Sequence, residues 1–145
     1  MGCIANGARG GRCRGCCCTS DGSRHQWFQD ERWYDLIVIL DDASSEIYYA
    51  QLVEEESTVT VMVGLREVIE RKGVFCALYS DRGSHFWLTP KVGGKVDPHR
   101  LTQVGRALRE VGIRMIPAYS PQARGRKRAQ LRHLAGTITA GVKTA

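Results

Sequence analysis

No stretch of the 145-residue chain approaches the ~18 consecutive apolar residues of a membrane-spanning helix, so no span is expected. The start, Met-Gly-Cys-Ile-Ala-Asn-Gly, lacks the basic-then-apolar order of a secretory signal. Met1-Gly2 beside Cys3 touches on lipidation, but position 6 is Asn where a myristoylation signal takes Ser or Thr. A cytoplasmic location is the resulting expectation. No internal repeat is present, and no helix-turn-helix for reading DNA ends is visible. Acids are missing from both ends: residues 1–20 hold three Arg and no Asp or Glu, and residues 111–145 hold seven Lys or Arg and again none. The middle, 21–110, holds 11 bases against 15 acids. Basic ends suit phosphate backbones, whose neutralisation releases counterions; they equally suit a solvated tail without fixed structure.

At this length a single domain with a real core is expected. Leu36-Ile-Val-Ile-Leu40, bounded by Asp35 and Asp41-Asp42, predicts a buried central strand. A turn over Ala43-Ser-Ser45 leads to a second strand, Glu46–Val53, rich in strand formers. Glu54-Glu-Glu56 is a solvated acidic run that favours the dipole of a following helix. Ser57 or Thr58 caps that helix, whose apolar Val61, Leu65, Val68 and Ile69 fall on one face and which Gly73 ends. Val74–Tyr79 predicts another buried strand, residues 88–98 a loop, Leu101, Val104, Leu108 and Val111 a helix face, and Ile113–Ile116 a last strand. This order indicates a mixed α/β sheet with helices packed on it. Residues 1–20, with five Gly and five Cys, read as an atypical leader outside the domain. Residues 127–145 read as a basic tail outside it as well.

Two acids carry the chemistry. Asp21 opens Asp-Gly-Ser-Arg-His-Gln-Trp-Phe, and Asp81 lies in Tyr-Ser-Asp-Arg-Gly-Ser-His-Phe at the end of a predicted strand. Carboxylates brought together from separate strands suit hard cations, and two such metals can clamp the attacking and leaving oxygens of a phosphodiester. Asp41-Asp42 also ends a strand but is read as the start of a turn. Cys13-x-x-Cys16, with Cys17, Cys18 and His25 nearby, raises zinc; one Cys pair without a second is a weak signal.

Four segments occur in a familiar order: Asp21-Gly-Ser, Asp35-Leu-Ile-Val-Ile-Leu-Asp-Asp-Ala, Leu78-Tyr-Ser-Asp-Arg-Gly-Ser-His-Phe and Ile116-Pro-Ala-Tyr-Ser-Pro-Gln-Ala-Arg-Gly-Arg126. Over residues 21–126 the chain resembles the catalytic core of insertion-sequence transposases of the integrase-like DDE superfamily, the ISNCY group in particular. The resemblance implies a ribonuclease-H-like α/β fold, Asp21 and Asp81 as catalytic metal ligands for Mg2+ or Mn2+, and DNA integration by cutting and joining ends. It makes Arg82, His85, Arg124, Arg126 and Lys127 candidate contacts to the DNA backbone. Transposon-end and target DNA, a second copy, or an intact transposase are the implied partners. In the family a Ser-Glu-Arg-Asn-like segment after Gly-Arg supplies a third acid and the last part of the fold. Here Lys127-Arg-Ala-Gln-Leu follows Arg126, so the fold is expected to be incomplete at its C-terminus and the chain catalytically defective. The alternative is a non-enzymatic remnant that binds DNA or dimerises and modulates an intact transposase.

Both ends fit a shifted reading frame. Codons permitted for Lys127–Ala145, read one base later, give Ser-Glu-Arg-Asn-Phe-Gly-Thr-Trp-Gln-Gly-Arg-Leu-Pro-Gln-Glu-Leu, the family's continuation. Codons permitted for Cys13–Ser20, read offset, give Pro-Gly-Met-Leu-Leu-His-Ile, so a run of Cys becomes a run of Leu.

Overall fold

The computed structural model describes residues 17–119. Strands β1 (Cys17–His25), β2 (Tyr34–Asp41) and β3 (Ile47–Val53) come first. Helix α1 (Thr58–Lys72), strand β4 (Ala77–Ser80), helix α2 (Gln103–Val111) and strand β5 (Arg114–Pro117) follow. The five strands form one sheet in the order β3-β2-β1-β4-β5. β1 pairs antiparallel with β2, and β2 with β3, whereas β4 and β5 run parallel to β1.

The apolar run of β2 explains its place between two strands: Leu36, Ile37, Val38, Ile39 and Leu40 are all buried. Alternate residues serve opposite faces. Ile37 and Ile39 pack with Val61, Leu65 and Val68 of α1, while Leu36, Val38 and Leu40 cluster with Trp27. The β2–β3 turn is made by Asp41, whose carboxylate accepts from the Ser44 amide at 2.8 Å and its hydroxyl at 2.7 Å. A turn role was the expectation for this acid.

The Ser57 N-cap is part of a capping box with Thr60, and Gly73 ends α1 at φ 87°. Glu54 and Glu55 are exposed as expected, but Glu56 is half-buried and its carboxylate fills the space a side chain at Gly22 would occupy. Its amide donates to Asp35 at 2.7 Å. α2 starts at Thr102 and stops at left-handed Gly112, after which the Ile113 amide returns to the Leu108 carbonyl at 2.8 Å. Its core face is Val104 and Leu108; Val111, placed on that face by spacing, is exposed because the helix ends beneath it.

The largest departure from sequence is β1. It begins at Cys17 and continues through Asp21, so residues 17–20, assigned above to a leader, lie in the central strand of the sheet. Cys18 and Thr19 are fully buried. Small and polar residues gave no strand signal here; pairing on both sides overrides that weak propensity. The Asp-Gly-Ser stretch, by composition a turn, is likewise strand. The expected incompleteness beyond Arg126 lies outside the described residues.

α1 approaches the sheet closely because Gly64 faces Tyr49: a Cβ there would lie 2.7 Å from the ring. Burial, and then the Glu67 carboxylate, push the Tyr49 phenol above its ordinary value. Gly64→Ala is expected to destabilise the fold by about 1–3 kcal/mol through overpacking, although alanine is the better helix former. Urea unfolding of the two proteins reads that difference directly.

Candidate active site

Parallel pairing of the two neighbouring strands builds the site. Cys17 pairs with Ala77, Cys18 with Leu78 and Thr19 with Tyr79. This pairing ends two residues short of Asp21 on β1 and of Asp81, which lies just past the end of β4. Tyr79 pairs with Ile116 and Ser80 with Pro117, which carries the end of β5 to the same level. The Ala118 amide extends the ladder to the Ser80 carbonyl at 2.9 Å.

Asp81 is half-exposed and accepts the Gly83 amide at 3.1 Å, the closure of a short turn that orients its carboxylate. The turn is bolted to the core behind it. Phe86 and Trp87 are buried, and both their amides donate to the Gly83 carbonyl at 3.0 Å. The Trp87 indole donates to the fully buried Ser80 hydroxyl at 2.9 Å. Thr102, the cap of α2, donates to the Phe86 carbonyl at 3.1 Å, so the helix also braces the turn.

Downstream of Asp21, the chain leaves β1 through His25 and returns in β2. Trp27 closes this hairpin, its indole donating to the Tyr34 carbonyl at 3.1 Å while His25 meets the ring edge-on at 5.8 Å. The aromatic that follows each acid is therefore an anchor for its segment. Sequence spacing showed that both acids have one but not what it does.

The other expected site residues divide. Arg82 is engaged within the protein: Nη1 donates to the Gly94 carbonyl at 3.3 Å, and the guanidinium stacks over Tyr119 at 5.1 Å. Its Nε is buried without a hydrogen-bond partner. His85 is half-exposed beside the Asp81 turn. Arg124, Arg126 and Lys127 lie outside the described residues, as do Cys13 and Cys16.

The Asp81 carboxylate, half-exposed just past the end of β4, is an oxygen donor of the kind magnesium takes. Among the described residues, no group of three His, Cys, Asp or Glu is placed to hold a metal. An open groove of about 440 Å³ lies elsewhere, between β3 and α1, lined by Tyr48, Tyr49, Glu67 and Arg71 among others. No described helix is long and apolar enough to cross a membrane.

Replacing Ser80 by Ala should leave the Trp87 indole donor buried and unpaired behind Asp81. A loss of about 1–3 kcal/mol is expected in denaturant unfolding.

Comparison with known proteins agrees with this fold. No protein-family model matches the chain. A protein of Sinorhizobium fredii (strain NGR234) named as a transposase is 38% identical over 109 residues, which are 73% of this chain and 23% of that protein. The transposase of an insertion sequence from Streptococcus pneumoniae is 28% identical over 106 residues, with the same coverage. The chain thus spans about a quarter of the length of the curated relatives it matches. In solved structures, the simian T-cell lymphotropic virus intasome is similar with a TM-score of 0.63 at 16% identity, over 92% of this chain and 44% of the other. The HTLV-2 integrase catalytic core in complex with magnesium gives 0.63 at 12% identity, over 90% and 76%. The chain has the ribonuclease-H-like fold of an integrase catalytic core, and the relatives it matches in sequence are insertion-sequence transposases.

Proposed function

We propose that this chain is a fragment of a DDE transposase catalytic core, a unit that cuts and rejoins DNA ends when intact. The observation that supports the reading is the parallel pairing of β1, the strand that contains Asp21, with β4, the strand that Asp81 follows. In that role the two acids hold divalent metal, and the Gly83 amide keeps the Asp81 carboxylate in one orientation. Held by Asp21 and Asp81, Mg2+ or Mn2+ would supply Lewis-acid activation of a water for nicking and of a DNA 3′-hydroxyl for joining.

The chain itself is catalytically defective in this reading. Residues 111–145 hold no acid, so the segment after Arg126 in which the family carries its third carboxylate has none here. The fully buried Thr19 hydroxyl has no hydrogen-bond partner, a cost of about 1–3 kcal/mol at the centre of the sheet. The shifted frame after Arg126 restores a glutamate from codons straddling Arg128 and Ala129.

Two measurements test this. A strand-transfer assay on element-end DNA with magnesium or manganese should show no joining; robust joining would overturn the inactivity. Resequencing the encoding DNA across codons 10–25 and 120–145 should reveal Ser-Glu-Arg-Asn-Phe-Gly-Thr-Trp one base off. Its absence would make the basic tail native. The concentration of bases in residues 88–119 favours a second reading, a remnant that binds duplex DNA without cleaving it. Salt-sensitive binding with no nicked product would distinguish it.

A further inference from the structure

Charge is sharply divided among the described residues. Residues 17–87 carry six bases against thirteen acids, and residues 88–119 carry six bases against two acids. The first part of that second segment, expected to be an irregular loop, is a closed arm. The Asp97 amide donates to the Leu88 carbonyl at 2.8 Å, and Trp87 bridges Leu101 beneath it. At its tip the Gly94 amide returns to the Lys91 carbonyl at 2.9 Å, around Gly93 at φ 76°. Lys91, Lys95 and Arg100 are exposed. The arm's single acid, Asp97, is spent on its own backbone, accepting the His99 amide at 2.9 Å and the Arg100 amide at 3.4 Å.

Two contacts fix this arm beside the acids. Arg82, next in sequence to Asp81, donates to the Gly94 carbonyl near the tip. Tyr119, on which the Arg82 guanidinium stacks, accepts the Val96 amide at 3.1 Å. The arm is therefore held to both the Asp81 turn and the end of β5. A base-rich hairpin-like arm pinned to an acidic site has an evident use when the substrate is a polyanion. The acids gather cations, and the arm supplies the positive charge that phosphates flanking the site require.

We propose that residues 88–100 dock the sugar–phosphate backbone of duplex DNA through Lys91, Lys95 and Arg100, with Arg82 and Tyr119 positioning the arm. This rests on the reading of the chain as part of a DNA-processing core. Arg82 is thereby a positioning residue and not itself a phosphate contact.

The test is duplex binding by the full chain across a salt series. The wild-type protein should bind with a steep salt dependence. The combined variant Lys91→Ala, Lys95→Ala and Arg100→Ala should flatten the slope of log K against log salt by about 2.7, at ~0.9 per phosphate contact. A control with Arg106→Ala and Arg109→Ala on α2 should leave the slope unchanged. Equal thermal midpoints by circular dichroism would show that the variants fold alike. In the wild type, duplex DNA should protect Lys91 and Lys95 from reductive methylation, a readout that needs no variant. Arg82→Met should speed amide exchange at Val96, which a direct phosphate contact would not predict. A wild-type chain that fails to bind duplex would overturn both the arm and the DNA reading. Binding with an unchanged slope in the triple variant, or with both lysines unprotected, would overturn the arm alone.

Discussion

The parallel pairing of β1 with β4 is the constraint on which the rest of the molecule depends. Antiparallel strands can follow one another through short turns, and β1 to β3 do so. A parallel neighbour needs a long crossover. β3 ends at one edge of the sheet, and β4 must return on the far side of β1. Helix α1 makes that passage, and its buried face is what holds it to the sheet: Val61, Leu65 and Val68 rest with Ile37, Ile39 and Tyr49. Loss of this packing would separate β4 from β1 and Asp81 from Asp21 together. The helix is remote from the acids in the chain and decisive for their proximity.

The parts legible in the sequence are those where one physical signal acts alone. β2 is a continuous apolar run, and such a run has few homes other than a strand buried on both faces. α1 has a capping serine, a 3.6-residue apolar period and a terminating glycine, and its observed bounds agree with them. β1 failed to register because its residues are small or polar: Cys17, Cys18, Thr19, Ser20, Asp21, Gly22. Its strand character comes from partners on both sides, which no local window contains. The arm was missed for a related reason. Pro90, Gly93, Gly94 and Pro98 mark a break in regular structure, but its closure depends on Arg82 and Tyr119, brought in from elsewhere in the chain.

The candidate site was legible in a different sense. Asp81 was recoverable from the strand before it and the Arg-Gly after it, because a strand end followed by a turn presents a carboxylate. Asp21 drew its weight from the resemblance; the structure adds that its strand lies beside β4, which Asp81 follows. Arg82 was grouped with surface bases because sequence cannot show that a guanidinium has been committed internally. In the structure that guanidinium stacks on Tyr119 and donates to the Gly94 carbonyl.

In the proposed reading, that commitment resolves an electrostatic difficulty of any site that must collect cations and admit a polyanion. An arginine next to a metal-binding aspartate would, if paired with it, neutralise the charge the metal needs. Here the Asp81 carboxylate is oriented by an uncharged donor, the Gly83 amide, while the neighbouring cation is turned toward a carbonyl and an aromatic face. Positive charge is instead displaced onto Lys91 and Lys95, a short distance along an arm that the same arginine holds in place. In the proposed reading, one side chain separates the two fields by fixing where the second of them stands, so that acids and bases serve one site without cancelling.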